Sequence, residues 1–106
     1  VKVLAVTFGI RMDEKIAKLQ AATDEAKEQM IATKQALDLA EMQLANAKAK
    51  YKALPMEQQE VLQVTDTELP ELIDAHLQAK SLYETADARY QTNLRYLEAL
   101  KSKRGV

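Results

Sequence analysis

The dominant pattern in the chain is a run of apolar and small residues between positions 13 and 54, at alternating spacings of three and four. A spacing that averages about 3.5 residues keeps a stripe on one face of a slightly underwound helix. The pattern therefore predicts a long helix over residues 13–54 that lies along another helix. Its seam comprises Ile16, Leu19, Thr23, Ala26, Met30, Thr33, Leu37, Ala40, Leu44, Ala47, Tyr51 and Leu54.

A second run with the same spacing predicts a second long helix over residues 67–104. We expect Thr65 and Glu68 to form a capping box at its start, or Thr67 to act as the cap. Pro70 falls in the first turn, where its missing N–H costs little, and Gly105 is placed to end the helix. The seam of this helix comprises Leu69, Leu72, His76, Ala79, Tyr83, Ala86, Tyr90, Asn93, Leu97 and Leu100.

The connector between the two helices spans residues 55–66 and starts with a proline. Pro55 cannot lie inside a regular helix and pushes Leu54 out of the helical region, so the first helix should end there. Residues 56–63 are good helix formers and can add a short helical turn. Two long helices with a short connector predict an all-α fold, a long antiparallel two-helix coiled-coil hairpin.

The segment 1–12 has a different pattern, because large apolar residues occupy alternate positions from Leu4 to Met12. A period of two fits a strand with one continuously apolar face, as in a membrane barrel, and such a strand would contact lipid. We therefore predict a short extended segment, with Asp13 capping the first helix. A helical or disordered start is the alternative, because nothing else in the chain reads as a partner strand.

Alanine occupies several positions of both seams, so the two helices should pack closely but bury little side-chain surface. Each helix also carries a second apolar stripe, which a two-helix hairpin cannot bury, and we expect it to face further helices through self-association or in a larger bundle. Alternatively, these residues are scattered surface positions that need no partner. The second stripe comprises Ile31, Ala32, Ala36, Leu39, Met42, Ile73, Leu77, Leu82, Leu94 and Tyr96. The helix–helix interface is predicted to depend on Ile16, Leu19, Met30, Leu37, Leu44, Tyr51, Leu69, Leu72, Tyr83, Tyr90, Leu97 and Leu100.

Charge and composition narrow the function classes. Fifteen basic and sixteen acidic residues are interspersed along the chain, so no basic patch points to nucleic acid. A formal net charge of −1 leaves little repulsion against self-association. There is no cysteine, which excludes disulfides, thiol nucleophiles and thiolate metal sites.

No pattern in the chain favours catalysis. His76 is the only histidine, and with Glu71 and Asp74 nearby it makes a weak ligand set, so we interpret it as a polar seam residue. Ser81 has no histidine at a usable spacing. Asn93 either fixes the register of the seam or faces solvent. We therefore predict a protein that is not an enzyme and has no cofactor or metal.

The order of an alternating strand, a long alanine-rich helix and a second helix resembles one strand–helix–helix portion of the TolC-type outer-membrane efflux factors. The resemblance rests on Leu69, Leu72, Ile73, Asp74, Ala75, Leu77, Ala79, Leu82, Tyr83, Ala86, Tyr90, Leu97 and Gly105. It implies a trimeric channel in the periplasm and outer membrane, with a hollow helical barrel and a membrane barrel of strands, of which this chain is a piece. The alternative is a soluble coiled-coil scaffold or adaptor that binds partner helices in a secretion system or phage assembly.

Overall fold

The computed structural model describes the backbone of residues 2–104 and the side chains of residues 10–63 and 65–103. The described chain forms three helices, α1 (Lys2–Ala53), α2 (Met56–Thr65) and α3 (Glu68–Arg104). It contains no strand between residues 2 and 104. The predicted all-α class and the helical hairpin are therefore confirmed.

The predicted extended segment is wrong over residues 2–12, because α1 begins at Lys2 and continues through Asp13 without a break. Asp13 is consequently not a cap. A single strand would leave its backbone donors and acceptors unpaired, whereas a helix closes them within the segment. The helical penalty of β-branched residues is below about 1 kcal/mol each, so an adjoining long helix can extend through Val3, Val6 and Ile10.

The first helix ends at Pro55, as the sequence indicates. The Leu54 amide donates to the Tyr51 carbonyl at 3.2 Å, and Pro55 then precedes α2, whose first turn is closed by the Gln59 amide donating to the Pro55 carbonyl at 3.0 Å. The Gln59 side-chain amide donates to the Leu54 carbonyl at 2.8 Å, and the Tyr51 hydroxyl donates to the Gln59 carbonyl at 3.0 Å. These bonds attach α2 to the end of α1.

Replacing Tyr51 with phenylalanine is expected to loosen α2, because the hydroxyl that reaches the Gln59 carbonyl is lost. One such hydrogen bond contributes about 1 kcal/mol. Amide hydrogen exchange measured by mass spectrometry should show faster exchange in α2, with α1 and α3 unchanged. Tyr96→Phe is the matched control, because Tyr96 is exposed on α3. Equal exchange of α2 in both variants would show that the bond does not hold α2.

The start of α3 differs from the predicted capping box. Thr65 belongs to the last turn of α2, where its hydroxyl donates to the Val61 carbonyl at 3.0 Å. The side-chain acceptor at the start of α3 is instead Asp66, which accepts the Glu68 amide at 3.0 Å. Thr67 holds the cap position, since its carbonyl accepts the Glu71 amide at 3.2 Å. The predicted stop at Gly105 lies outside the described residues.

The chain divides into two compact units. The first contains the chain up to Ile31 together with the part from Thr85 onward, and the second contains Ala32–Glu84. In each unit α1 and α3 are antiparallel, because residues that lie later in α1 contact residues that lie earlier in α3. Gln20 contacts Lys101 and Gln29 contacts Arg89 in the first unit, and Lys34 contacts Tyr83 and Glu41 contacts His76 in the second.

The core of each unit is a narrow strip between α1 and α3. Thr23, Ala26 and Leu97 are the buried residues of the first unit, and Leu37 and Leu44 are those of the second. Among the described residues no large side chain is completely removed from solvent. The packing is therefore shallow, as the alanine-thinned seams indicate.

Candidate interaction surface

The seam positions lie where α1 and α3 meet. The described positions of both seams are all buried or half-buried. Leu37, Leu44 and Leu97 are buried, and the rest of the predicted interface set is half-buried: Ile16, Leu19, Met30, Tyr51, Leu69, Leu72, Tyr83, Tyr90 and Leu100. Asn93, whose position was left open between seam and solvent, is half-buried.

The one buried polar side chain among the described residues is satisfied within its own helix. The Thr23 hydroxyl donates to the Leu19 carbonyl at 2.6 Å, one turn earlier in α1. A buried hydroxyl that is hydrogen-bonded within its own helix needs no hydrogen-bond partner on the facing helix. Thr23 can therefore occupy a seam position among apolar residues without a matching polar group on α3.

Polar pairs lie along the margins of the seam. In the second unit the Lys34 ammonium lies 5.5 Å from the centre of the Tyr83 ring and 3.1 Å from an Asp38 carboxylate oxygen. The hydrogen bond and the charge of Asp38 raise the pKa of Lys34 above its ordinary value. In the same unit His76 Nε2 lies 3.5 Å from a Glu41 carboxylate oxygen. Exposed pairs of this kind contribute little stability.

A set of large apolar side chains remains uncovered outside the seam. Leu39 and Met42 on α1 are 50% and 55% exposed, and Ile73, Leu77 and Leu82 on α3 are also exposed. All five were assigned to the second stripe. These residues lie in the second unit, so this unit combines a closed seam with exposed apolar surface. Leu39 and Met42 lie three residues apart on α1, and Ile73 and Leu77 lie four residues apart on α3, so each pair is a small apolar area on one helix.

A cavity of about 540 Å³ lies at the end of the second unit where α1, α2 and α3 meet. Leu54, Leu62, Leu69 and Leu72 supply apolar walls, and polar groups including Asp66 lie around them. Asp66 is already engaged by the Glu68 amide. The cavity is thus mainly a consequence of folding a short helix against the ends of two long ones.

Within the described residues no group of three or more histidine, cysteine, aspartate or glutamate side chains is arranged to hold a metal ion. His76 lies at its seam position beside Glu41, while Glu71 and Asp74 occupy exposed positions of α3. Ser81 is exposed on α3. In the part of the chain that the structure describes, His76, Glu71 and Asp74 therefore do not form a metal-binding group.

Within the described part of the chain, no helix combines the length and the apolar character needed to span a bilayer.

Several contacts of this surface could not be read from spacing alone. The heptad pattern places residues on a face, but it does not say which residue of α3 lies level with a given residue of α1. The pairs Arg89–Gln29 and Lys101–Gln20, at 3.2 and 3.4 Å, settle this for the first unit. The signal in the sequence that could have predicted these pairs is the presence of opposite charges and amide groups at the positions flanking the seam.

Comparison of the chain with protein-family models, with curated proteins and with solved structures found no match. The function of the chain must therefore be argued from its own surface.

Proposed function

We propose that the chain is a non-catalytic structural component, a coiled-coil hairpin that binds further helices along the apolar positions its own seam leaves uncovered. The hairpin supplies a pair of helices, and helices of further copies of the chain complete a bundle of more than two. A hairpin of this kind would serve as a scaffold or adaptor, as in a secretion system or a phage assembly.

The observation that carries the proposal is the exposure of Leu39, Met42, Ile73 and Leu77 in a unit whose seam is already closed. Burying an exposed leucine, isoleucine or methionine side chain stabilises a complex by about 1.5–3 kcal/mol before the costs of association. Leu39 with Met42 on α1, and Ile73 with Leu77 on α3, each offer neighbouring apolar side chains to a docking helix, and the small net charge of −1 opposes association little.

The efflux-channel alternative depends on a strand at the start of the chain. Residues 2–12 form a helix and not a strand. The segment therefore gives no support to a membrane barrel of strands, and it supports the scaffold hypothesis instead. The resemblance of α3 to the efflux factors still applies to a helical barrel, because lateral packing of hairpins is the property that the two proposals share.

The proposal is tested by the dependence of thermal unfolding on protein concentration. When folding is coupled to association, the midpoint Tm rises with concentration by mass action. We expect circular dichroism at 222 nm to show this rise for the unmodified chain. A variant with Leu39, Met42, Ile73 and Leu77 all changed to glutamine should lose it. A Tm independent of concentration in the unmodified chain would contradict the proposal.

A further inference from the structure

The side of α1 opposite the seam carries a row of uncharged residues within the second unit, which shares Ala32, Leu39 and Met42 with the predicted second stripe. Every one of its positions is exposed, and Asn46 also borders the cavity where α1, α2 and α3 meet. The row forms a stripe that consists of Ala32, Gln35, Leu39, Met42, Asn46, Ala49 and Ala53. Leu39 and Met42 are its large apolar residues and lie three residues apart, with alanines toward both ends, so a second helix can approach α1 closely along this side.

The chemistry of the stripe fits a helix as its occupant. None of its positions is charged, although charged residues make up 29% of the chain. The next position on the same side of α1 toward the N-terminus is Glu28, and the other end coincides with the end of α1 at Ala53. Gln35 and Asn46 are residue types that occur at seam positions and help to fix register. The uncharged surface is thus limited to about 30 Å of helix.

We infer, building on the proposed function, that the occupant is the same stripe of a second copy of this chain, packed antiparallel about a two-fold axis level with Leu44. In this register Leu39 of one copy lies opposite Ala49 of the other, and Met42 lies opposite Asn46. Large residues then face smaller ones along the stripe, which lets the helix axes approach and fills the space between them.

The charges beside the stripe agree with this register. Asp38 and Lys52 lie along the same edge of the stripe, and the antiparallel pairing brings Lys52 of each copy to within two residues, about 3 Å along the helix, of the level of Asp38 in the other. Asp38 already binds Lys34 at 3.1 Å, but a carboxylate can accept further donors. A parallel pairing in register instead sets Asp38 level with Asp38 and Leu39 level with Leu39, so that like charges and two large residues meet. Charge and size therefore both favour the antiparallel pair.

Cysteine crosslinking tests the geometry directly, because the chain has no cysteine of its own. Ala45 is exposed beside the stripe and close to the proposed axis, so Ala45→Cys should give a covalent dimer with a short bismaleimide. Ala32 lies at the start of the stripe, and two copies of Ala32 are separated by more than about 30 Å in the antiparallel pair. Ala32→Cys is the matched control and should remain monomeric on denaturing gels.

A charge exchange tests the register without touching the apolar positions. Asp38→Lys or Lys52→Asp alone should raise the Kd of the dimer about tenfold, since each replaces two attractions by two repulsions. The double variant should restore the original Kd, because it reverses both partners. Circular dichroism of each monomer confirms that the hairpin is intact. Failure of the double variant to restore the Kd would overturn the register.

The crosslinking results also separate this inference from the proposed function. Efficient crosslinking through Ala32→Cys would show that the two copies pack in parallel, and the inference of an antiparallel pair would then be wrong. If Tm rises with concentration but Ala45→Cys forms no covalent dimer, the hairpin assembles through another face and the inference alone is wrong. If Tm does not depend on concentration and neither variant crosslinks, both the inference and the proposed function are wrong.

Discussion

Replacing Leu37 with aspartate is expected to destabilise the hairpin by about 4 kcal/mol or more. Leu37 is 6% exposed, at the middle of the α1 seam. Truncating a buried leucine to alanine already costs about 2–5 kcal/mol, and aspartate adds a carboxylate without a nearby cation in the seam. Urea unfolding followed at 222 nm should show a large decrease in the free energy of unfolding, or a chain that is mostly unfolded in buffer.

The matched control is Leu82→Asp. Leu82 lies in the same unit but is exposed on α3, so the same change of side chain should cost about 0.5 kcal/mol. Both variants should be measured at a low protein concentration, where association does not add to stability. Equal unfolding curves for Leu37→Asp and the unmodified chain would show that the seam register is wrong.

Enlarging Ala26 to leucine is expected to destabilise the first unit by about 1–3 kcal/mol. Ala26 is 1% exposed, the smallest exposure among the buried residues of the hairpin. Alanine and leucine have similar helix propensities, so the change leaves the formation of α1 itself almost unaffected. The added atoms must push α1 and α3 apart or force neighbouring side chains out of their preferred rotamers. Thermal unfolding should show a lower Tm.

Ala21→Leu is the matched control for Ala26→Leu, because Ala21 is exposed on the same helix in the same unit. Its Tm should stay close to that of the unmodified chain. A higher Tm for Ala26→Leu would mean that the seam has room for a large side chain at this point. The close approach of the two helices, on which the shallow packing depends, would then be contradicted.

Heptad spacing was sufficient to locate the two long helices and to identify the residues at the interface between them. Leu37, Leu44 and Leu97 belong to the predicted interface and are buried. This works because a long two-helix contact is repetitive, so each turn repeats the same signal. Pro55 was equally informative, since no regular helix accepts proline in its interior.

The start of the chain could not be predicted in this way. An alternation that runs only from Leu4 to Met12 is too short to outweigh an adjoining helix, which satisfies the backbone hydrogen bonds within the segment itself. The cap of α3 was narrowed to two possibilities, of which Thr67 is correct and the capping box from Thr65 is wrong, because Thr65, Asp66 and Thr67 are all acceptable cap residues. Only the position where α2 ends decides among them, and Thr65 falls inside α2.

The candidate surface was predictable in its residues but not in its geometry. Leu39, Met42 and Leu77 could be assigned to a second stripe by counting, and they are exposed in the structure. The antiparallel pairing of copies depends in addition on which charges lie near each other, and Asp38 and Lys52 became informative only once the positions between them on the same side of α1 were known to be exposed.

Sedimentation equilibrium of the unmodified chain tests the central claim most directly. The claim is that the uncovered apolar surface binds further helices, beginning with those of a second copy. A single chain has a mass of 11.9 kDa. We predict that the weight-average mass rises with concentration and reaches at least twice this value. A mass that remains at 11.9 kDa over the whole concentration series would contradict assembly of the chain with itself.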